Sequence, residues 1–408
     1  MTVLDIDALI GACSPGGATC LTSTTELEPA GGPQTAVAPA KFAAARGTEG
    51  AYAYEKRFLD GEPRWAVLVD SKQSQLNRVE QAVAGAVADG VNTLKDLPRV
   101  TVTYDRDGVP EVYSDLTLPH RVYDGHIRAG SVDGVPITQH ELYRAVRNSS
   151  PADAKALLEA SPVTLVLGGW DSSRKSRQGR WRSALVGEII GFCADQGPDA
   201  PVPARKGGAR VDPVGMQVLL PPAAMKRLAD AQRDELSPTT YAKVVAEKPK
   251  KGATGVSGSP LGLGGIPPSL GALAGVACDR IVRSHVLSFA ALRQIRFGTG
   301  PEGDAACRAV LAALALSGLA RADEELNLRA NCDLVESGPT TVWLDQRGGQ
   351  KLALDPLTPA QADALLAAAL ARAADLASLQ WRGVVLAVTG NQEIIAGAVS
   401  DDSGETAE

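Results

Sequence analysis

Apolar positions along this chain fall into several short rhythms. Trp65 to Val69 is an apolar run of strand length, and Leu76, Val79, Val83 and Val87 follow at three- and four-residue spacing, which predicts a strand and then a helix. Ser71 and Ser74 both suit that helix's N-cap. Val100, Val102 and Tyr104 alternate into the turn Asp105-Arg106-Asp107-Gly108, so 100–114 predicts a hairpin. A helix is expected from Thr138 to Asn148. Val163 to Leu167 then reads as a second strand, 168–182 as a polar loop, and the stretch from Ser183 as a helix burying Leu185, Val186, Ile189, Ile190 and Phe192.

The last third is also patterned. Arg280 to Phe289 predicts a strand with a short helix through Leu292, and Asp304 to Leu319 a helix. Leu326 to Val335 alternates as a strand would, with Asn327, Arg329, Asn331 and Asp333 on its outer side. A hairpin is expected at 341–354, turning at Arg347-Gly348-Gly349. Thr358 and Pro359 open a helix to Leu379, and Gly383 to Val388 is a last strand. Between these blocks, Gly11 to Pro39 reads as a surface loop and Val211 to Leu220 as a strand broken by Pro213 and Gly215. Ala223 to Glu235 reads as a helix, and 252–271, with seven glycines in twenty residues, as a flexible loop. The order implies an α+β sheet with helices on one face and several insertions. A single domain over 1–408 is expected. Its approximate parts are 1–63 (loop-rich), 64–235 (first part of the sheet with hairpin and helical insertions), 236–275 (Lys/Gly-rich insertion), 276–399 (second part) and an acidic tail, 400–408.

Composition narrows the function classes. With 44% hydrophobic and 22% charged residues the chain is globular, and aromatics are scarce at 4%, so aliphatic side chains must build the core. Six scattered cysteines without a C-x-x-C pair, and only four histidines, argue against a structural zinc site. The acidic start MTVLDIDALI lacks the marks of a secretory signal, and the apolar runs at 305–320 and 363–379 are interrupted by charge. A cytoplasmic protein with reduced thiols and no membrane partner is the expectation.

The net charge of −6 makes one stretch conspicuous: Trp170 to Trp181 and its neighbour Arg182 hold Arg174, Lys175, Arg177, Arg180 and Arg182 against the single acid Asp171. Guanidinium forks grip phosphates, and aromatic rings or guanidinium planes stack on bases, so this pattern suits a polyanion with bases. A solvated loop has the same composition. Basic residues recur, however, at Lys72 and Arg78, at Arg121 and Arg128, at Arg205, Lys206 and Arg210, at the four lysines of 243–251, and at Arg280, Arg283, Arg293 and Arg296 near His285. Recurrence at loop ends favours a single cationic groove on an acidic body.

Catalytic patterns are missing. There is no G-x-S-x-G, no H-E-x-x-H and no P-loop, and Pro267 breaks the dinucleotide pattern begun by Gly262 and Gly264. His120 and His126, beside Arg121, Tyr123 and Arg128, would suit metal-independent cleavage of a phosphodiester, and equally phosphate contact or local structure. Asp70, after a strand, suits a carboxylate base and, more commonly, a helix-capping or loop-fixing role. No cofactor or metal is implied, and the chain is expected not to be an enzyme.

Four blocks, VLVDSKQSQLNRVE (67–80), LPHRVYDGHIRAGSVDG (118–134), GGWDSSRKSRQGRWRSALVGEIIG (168–191) and SFAALRQIRFG (288–298), together resemble a CRISPR-associated RAMP protein. The likeness is to the repeated backbone subunit of the type I-U (I-G) Cascade-like effector. It implies a modified RNA-recognition-motif (ferredoxin-like) palm with helical and hairpin or loop insertions. It further implies several copies polymerised on CRISPR RNA, a target DNA strand paired to the guide, and partner effector subunits: a large subunit and a repeat-handle processing subunit. RNA contact is then expected from Lys72, Gln73, Ser74, Asn77 and Arg78, from His120 and Arg121, and from Trp170, Arg174, Lys175, Arg177, Arg180 and Arg182. The basic loop is expected to be mobile alone and fixed by RNA. The thumb that such subunits insert between nucleotides is either hairpin 100–114 or stretch 252–271. A guide-processing endoribonuclease using His120 or His126 is the alternative reading.

Overall fold

The computed structural model describes residues 2–39, 42, 52–194, 199, 205–208, 218–249, 252, 254–263, 269–273, 275–328 and 332–397. In chain order its main elements are α1 (Ile6–Cys13), β1 (Cys20–Pro29), β2 (Tyr54–Leu59), β3 (Glu62–Asp70) and α2 (Lys72–Ala88). Then come β4 (Arg99–Arg106), β5 (Val109–Ser114), α3 (Glu141–Asn148), α4 (Lys155–Ala160) and α5 (Pro162–Leu167). The two-residue strands β6 (Gly169–Trp170) and β7 (Arg180–Trp181) precede β8 (Leu185–Cys193), β9 (Cys278–Ser288) and α6 (Gly300–Glu325). β10 (Leu334–Glu336), β11 (Thr341–Asp345), β12 (Lys351–Leu354), α7 (Pro359–Ala377) and β13 (Val384–Thr389) complete the set.

The main sheet runs β12-β11-β1-β9-β8-β3-β2, with β10 pairing the far end of β1. Within it, β1, α2, β8, β9, α6 and β11 follow one another as β-α-β-β-α-β. Their strands lie in the order fourth, first, third, second, and all pairs are antiparallel. That is the ferredoxin-like arrangement of RNA-recognition domains. The fold is α+β, as expected. A second sheet of five strands joins β5 and β4, from the segment between α2 and β8, to the C-terminal β13, which runs parallel to β4, and then to the short strands Ser131–Val132 and Val135–Pro136.

The chain falls into two compact units, 1–40 with 52–199 and 277–396, and 41–51 with 200–276 and 397–408. The first contains both sheets. In the second, helices Pro222–Ala231 and Pro238–Ala246 gather a small core of Met225, Ala229, Val244 and Val256. In the chain, residues 200–276 leave after β8 and return before β9.

Several elements follow directly from local sequence. Ser71 is the N-cap of α2, its Oγ accepting the Ser74 N–H. Thr358 and Gln361 form a reciprocal capping box at α7, with Pro359 in the first turn. The helix α6 runs longer than the expected 304–319, and by length and apolarity it would suit a membrane. Its apolar stretch is 83% buried inside the protein, which makes it a core helix here. Gly318 lets it approach α2, since a Cβ there would lie 2.8 Å from Val79 and Val83.

Four expectations are corrected. Residues 11–39 are not a loop but contain the end of α1 and the central strand β1. Its core face is Leu21, Ser23, Thr25 and Leu27, so two hydroxyls interrupt the apolar alternation. Residues 163–167 are helical, not a strand, in a segment begun by Pro162. Residues from 185 are a strand, not a helix. An apolar residue at nearly every position satisfies both periods, and Gly187 and Gly191 decide for the sheet. A Cβ at 187 would stand 2.0 Å from His285 Cδ2, and at 191 it would stand 2.5 Å from Cys278 Sγ. Finally, β10 is only three residues long; Arg329, Ala330 and Asn331 of the expected strand lie outside the described residues, as do 209–217, Lys250, Lys251, 264–268 and the tail from 398.

Ser23 and Thr25 belong to a polar seam between the sheet and its helices. His285, opposite Ser23 and Gly187, is 3% exposed, and burial pushes its imidazole down to about 3, with Arg283 adding to the effect. It is therefore neutral, and its Nε2 donates to Gln75 Oε1 at 3.1 Å while Gln75 Nε2 donates to buried Asp70. Arg283, 2% exposed, reaches Glu336 at 2.7 Å, Thr25 Oγ1 at 3.2 Å and Asp323 at 3.4 Å.

Gly187→Ala should destabilise the protein by about 1–3 kcal/mol, read as a lower thermal midpoint. Gly338→Ala, where nothing lies within 4 Å of the added carbon, is the control. Equal midpoints for the two variants would contradict the packing of His285 against the Gly187 backbone.

Asp115 gives a pH prediction. Burial pushes its carboxyl up to about 7, against the opposing Ser161 hydroxyl and Val100 N–H. An unfolded Asp titrates near 3.9, so the folded protein holds this proton more tightly. Stability from this group is full below about pH 4 and is lost as pH rises through about 7. Asp115→Asn should therefore gain on the parent between pH 5 and 8, by on the order of 1–3 kcal/mol; a pH-independent difference in denaturant unfolding would refute it.

Candidate nucleic-acid interface

The basic stretch is a hairpin standing on a buried base. Gly169 pairs with Trp181 and Trp170 with Arg180, and the Asp171 N–H donates to the Gly179 carbonyl at 2.8 Å. Gly168 turns the chain out of α5 with φ +88°, where a Cβ would strike Ser183 Oγ. Trp181 is buried, and its Nε1–H donates to the Tyr123 hydroxyl at 2.8 Å. The Ser183 hydroxyl donates to the Leu167 carbonyl at 2.7 Å. So the hairpin lies between a helix and a strand, not between a strand and a helix as the sequence reading had it.

Asp171, the one acid of the stretch, is fully buried and takes both forks of Arg147 at 2.8 and 3.0 Å. Its charge is neutralised internally, and the exposed part of the hairpin is left purely cationic. Arg174 is a brace: it donates to the Arg147 carbonyl at 2.5 Å and to Asn148 Oδ1 at 2.6 Å. Gln178 closes the tip by donating to the carbonyls of Ser172 and Arg174. Lys175, Arg177, Arg180 and Arg182 are exposed, and none has an ion pair among the described residues. Trp170 is 52% exposed with the Arg180 guanidinium 5.2 Å from its ring centre, a cation–π contact of about 0.5–1 kcal/mol.

The other candidates divide in the same way. Arg121 is held at φ +49° and donates to both oxygens of Glu80 at 2.7 and 3.1 Å and to the Gly168 carbonyl at 3.0 Å. It ties the middle of α2 to the base of the hairpin. Burial pushes the Glu80 carboxyl up, while Arg121 pulls it back. Arg78 turns inward to Asp70 at 3.1 Å and also reaches Ser74 Oγ at 3.4 Å. Lys72, Gln73 and Asn77 stay exposed at the start of α2, Lys72 about 12 Å along the axis from Glu80. His120 has an exposed ring, and its backbone N–H is held by Asp124 at 3.1 Å. His126 is packed edge-on against Tyr104 with Nδ1 2.7 Å from its hydroxyl.

Elsewhere several cations are paired. On the face of the main sheet away from its helices, Arg57 pairs with Glu188 and Arg280 with Glu26. Of the further basic groups, Arg210, Lys250 and Lys251 lie outside the described residues. Among the described residues no cluster of His, Cys, Asp or Glu has the make-up of a metal site. The sequence reading missed Glu80, Arg147, Tyr123 and Trp181 as the hairpin's supports. The lone Asp171 amid five cations was the available signal.

Residues 21–196 match the family model described as CRISPR-associated protein GSU0053. The match covers less than half of the chain, and every candidate residue falls inside it. Curated proteins yield no match.

Tyr123→Phe should strand the buried Trp181 N–H and cost about 1–3 kcal/mol. It should also speed tryptic cleavage after Lys175 and Arg177, and cleavage at the parental rate would show that this bond does not hold the hairpin.

Proposed function

We propose that this protein is a non-catalytic backbone subunit of a type I-G surveillance complex, oligomerising along CRISPR RNA and presenting the guide for pairing with target DNA. The observation that carries the reading is the hairpin 168–182, which offers four unpaired cations and a half-exposed indole on a rigid base. Two further facts support it: the palm has RNA-recognition topology, and the matched CRISPR-associated segment includes the hairpin. Contacts of Lys, Arg and amide side chains to phosphates and 2′-hydroxyls hold a strand without reading its sequence. The guide's base edges then stay free, and pairing selects the target. Trp170 would stack on a base, worth about 1–3 kcal/mol.

Within this proposal, the side chains without an internal partner are the ones given to RNA. Lys175, Arg177, Arg180, Arg182 and Trp170 are the RNA-facing set, with Lys72, Gln73 and Asn77 on α2. Arg78, Arg121 and Arg174 serve by positioning. Of the two thumb candidates, 252–271 suits the role better than hairpin 100–114, because in the chain it falls between the adjacent palm strands β8 and β9, whereas β4–β5 is built into the second sheet.

Lys175→Ala/Arg177→Ala/Arg180→Ala should stay folded and lower the thermal midpoint only by the small amount that loss of the Arg180–Trp170 contact implies, about 0.5–1 kcal/mol. It should weaken single-stranded RNA binding and flatten the slope of log affinity against log salt by about 2, since each phosphate contact contributes roughly 0.7. Parental affinity and slope in this variant would remove the hairpin from the interface. Metal-independent cleavage of repeat RNA by the pure protein, abolished by His120→Ala, would instead establish the ribonuclease reading.

A further inference from the structure

A second cationic feature lies outside the hairpin. A cavity of about 340 Å3 is lined by Pro15, Arg293, Gln294, Arg296, Asp304 and Arg308, with Pro301 completing its wall. Three arginines and a single acid therefore line it. The Asp304 carboxylate is largely committed elsewhere: its Oδ1 accepts from the Phe297 N–H at 3.0 Å, from the Thr299 N–H at 3.2 Å and from the Thr299 hydroxyl at 3.0 Å.

The arginines differ in how they are held. Arg308 is only 4% exposed; its Nε donates to the Ile295 carbonyl at 2.9 Å and its Nη1 to the Cys13 carbonyl at a long 3.4 Å, and its nearest carboxylate oxygen, on Asp304, is 3.7 Å away. That distance is an ion pair without a hydrogen bond, so a buried charge is left incompletely compensated. Arg293 donates through Nη1 to the carbonyls of Ala12 and Ala18, both at 2.6 Å, and is fixed in the wall by them. Arg296 is exposed, and its guanidinium has no ion pair among the described residues. A fixed wall of two guanidiniums and a third free to close on the ligand is the donor set that a tetrahedral oxyanion needs.

The cavity is also connected to the hairpin by hydrogen bonds. The Arg296 N–H donates to the Pro151 carbonyl at 2.8 Å, and the Ala154 N–H to the Arg296 carbonyl at 2.9 Å. At the other end of this short segment, Arg147 and Asn148 receive Arg174 of the hairpin. From this we infer that the Arg293–Arg296–Arg308 cavity is a phosphate-binding site. Its ligand is either a backbone phosphate of the strand that the hairpin holds, which rests on the proposed function, or free phosphate, which does not.

The test uses the full chain, inorganic phosphate and a single-stranded RNA. Phosphate should raise the thermal midpoint beyond chloride at equal ionic strength, and Arg296→Ala should abolish that excess while Arg347→Ala, an exposed arginine outside the cavity, retains it. No excess in the parent, or an equal excess in Arg296→Ala, overturns the site. In the RNA arm, a backbone ligand predicts about 3- to 10-fold weaker binding by Arg296→Ala and a salt slope lower by roughly 0.7. An unchanged slope with the phosphate effect intact assigns the site to free phosphate. If the parent binds no RNA, the proposed function fails, and the phosphate arm still decides the cavity.

Discussion

One buried ion pair holds the base of the basic hairpin to helix α2. Arg121 and Glu80 are each about one-eighth exposed in their side chains, and the guanidinium also takes the Gly168 carbonyl. Burying either charge alone costs several kcal/mol, and their attraction offsets this only where the geometry is good. Here the pair is bidentate and the third bond goes to the residue that starts the hairpin. The strained backbone of Arg121, of order 1–2 kcal/mol for a left-handed residue, is tolerated because three hydrogen bonds fix it. Truncating Arg121 would leave Glu80 buried and uncompensated as well as freeing the hairpin. A loss of RNA binding in such a variant would report on folding, whereas loss through Arg177 or Arg180 reports on contact.

The palm's interior rests on a related constraint. Most α+β sheets seal to their helices with aliphatic side chains, yet here Ser23, Thr25, Gln75, Arg283 and His285 occupy that layer. Each polar group then needs a partner, and the chain Asp70, Gln75, His285 fixes orientations in turn. Asp70 only accepts, so Gln75 must present its amide NH2 there and its carbonyl to the imidazole, which must carry its proton on Nε2. A slip of one residue in the β8–β9 register would put a side chain where Gly187 makes room for the imidazole. The seam thus specifies the register that an apolar layer would only favour.

Where the sequence was legible, pattern and chemistry agreed. Helix α2 shows both its cap and its apolar stripe, and the β4–β5 hairpin shows both alternation and a turn. Helix α7 shows its capping box. Where it was not, one layer of information contradicted another. Strand β1 hides because its buried face is half hydroxyl, a choice made by Arg283 and His285 on the next strand and invisible from β1 alone. Strand β8 hides because Leu185, Ile189 and Phe192 fit a helix, and only the tertiary approach of His285 and Cys278 explains the two glycines. The basic stretch was legible as a cluster, but its division into braces and free cations was not. Arg174 and Arg180 look alike in sequence, and one is tied to Arg147 and Asn148 while the other lies over Trp170.

That division matters more than the total charge. A protein of net charge −6 repels a polyanion at long range, and screening over about 8–10 Å at physiological salt confines that repulsion. Within that distance the balance is set by which cations lack a carboxylate. Arg57, Arg78, Arg121, Arg147 and Arg280 each have one, and they contribute shape rather than field. Burying Asp171 against Arg147 removes the only acid from the hairpin and does so with an arginine that was not needed outside. Unpaired charge therefore remains on a hairpin whose base is held by buried hydrogen bonds. This is the condition for gripping a phosphate chain at fixed geometry, because a rigid donor gives up little conformational entropy when the ligand arrives.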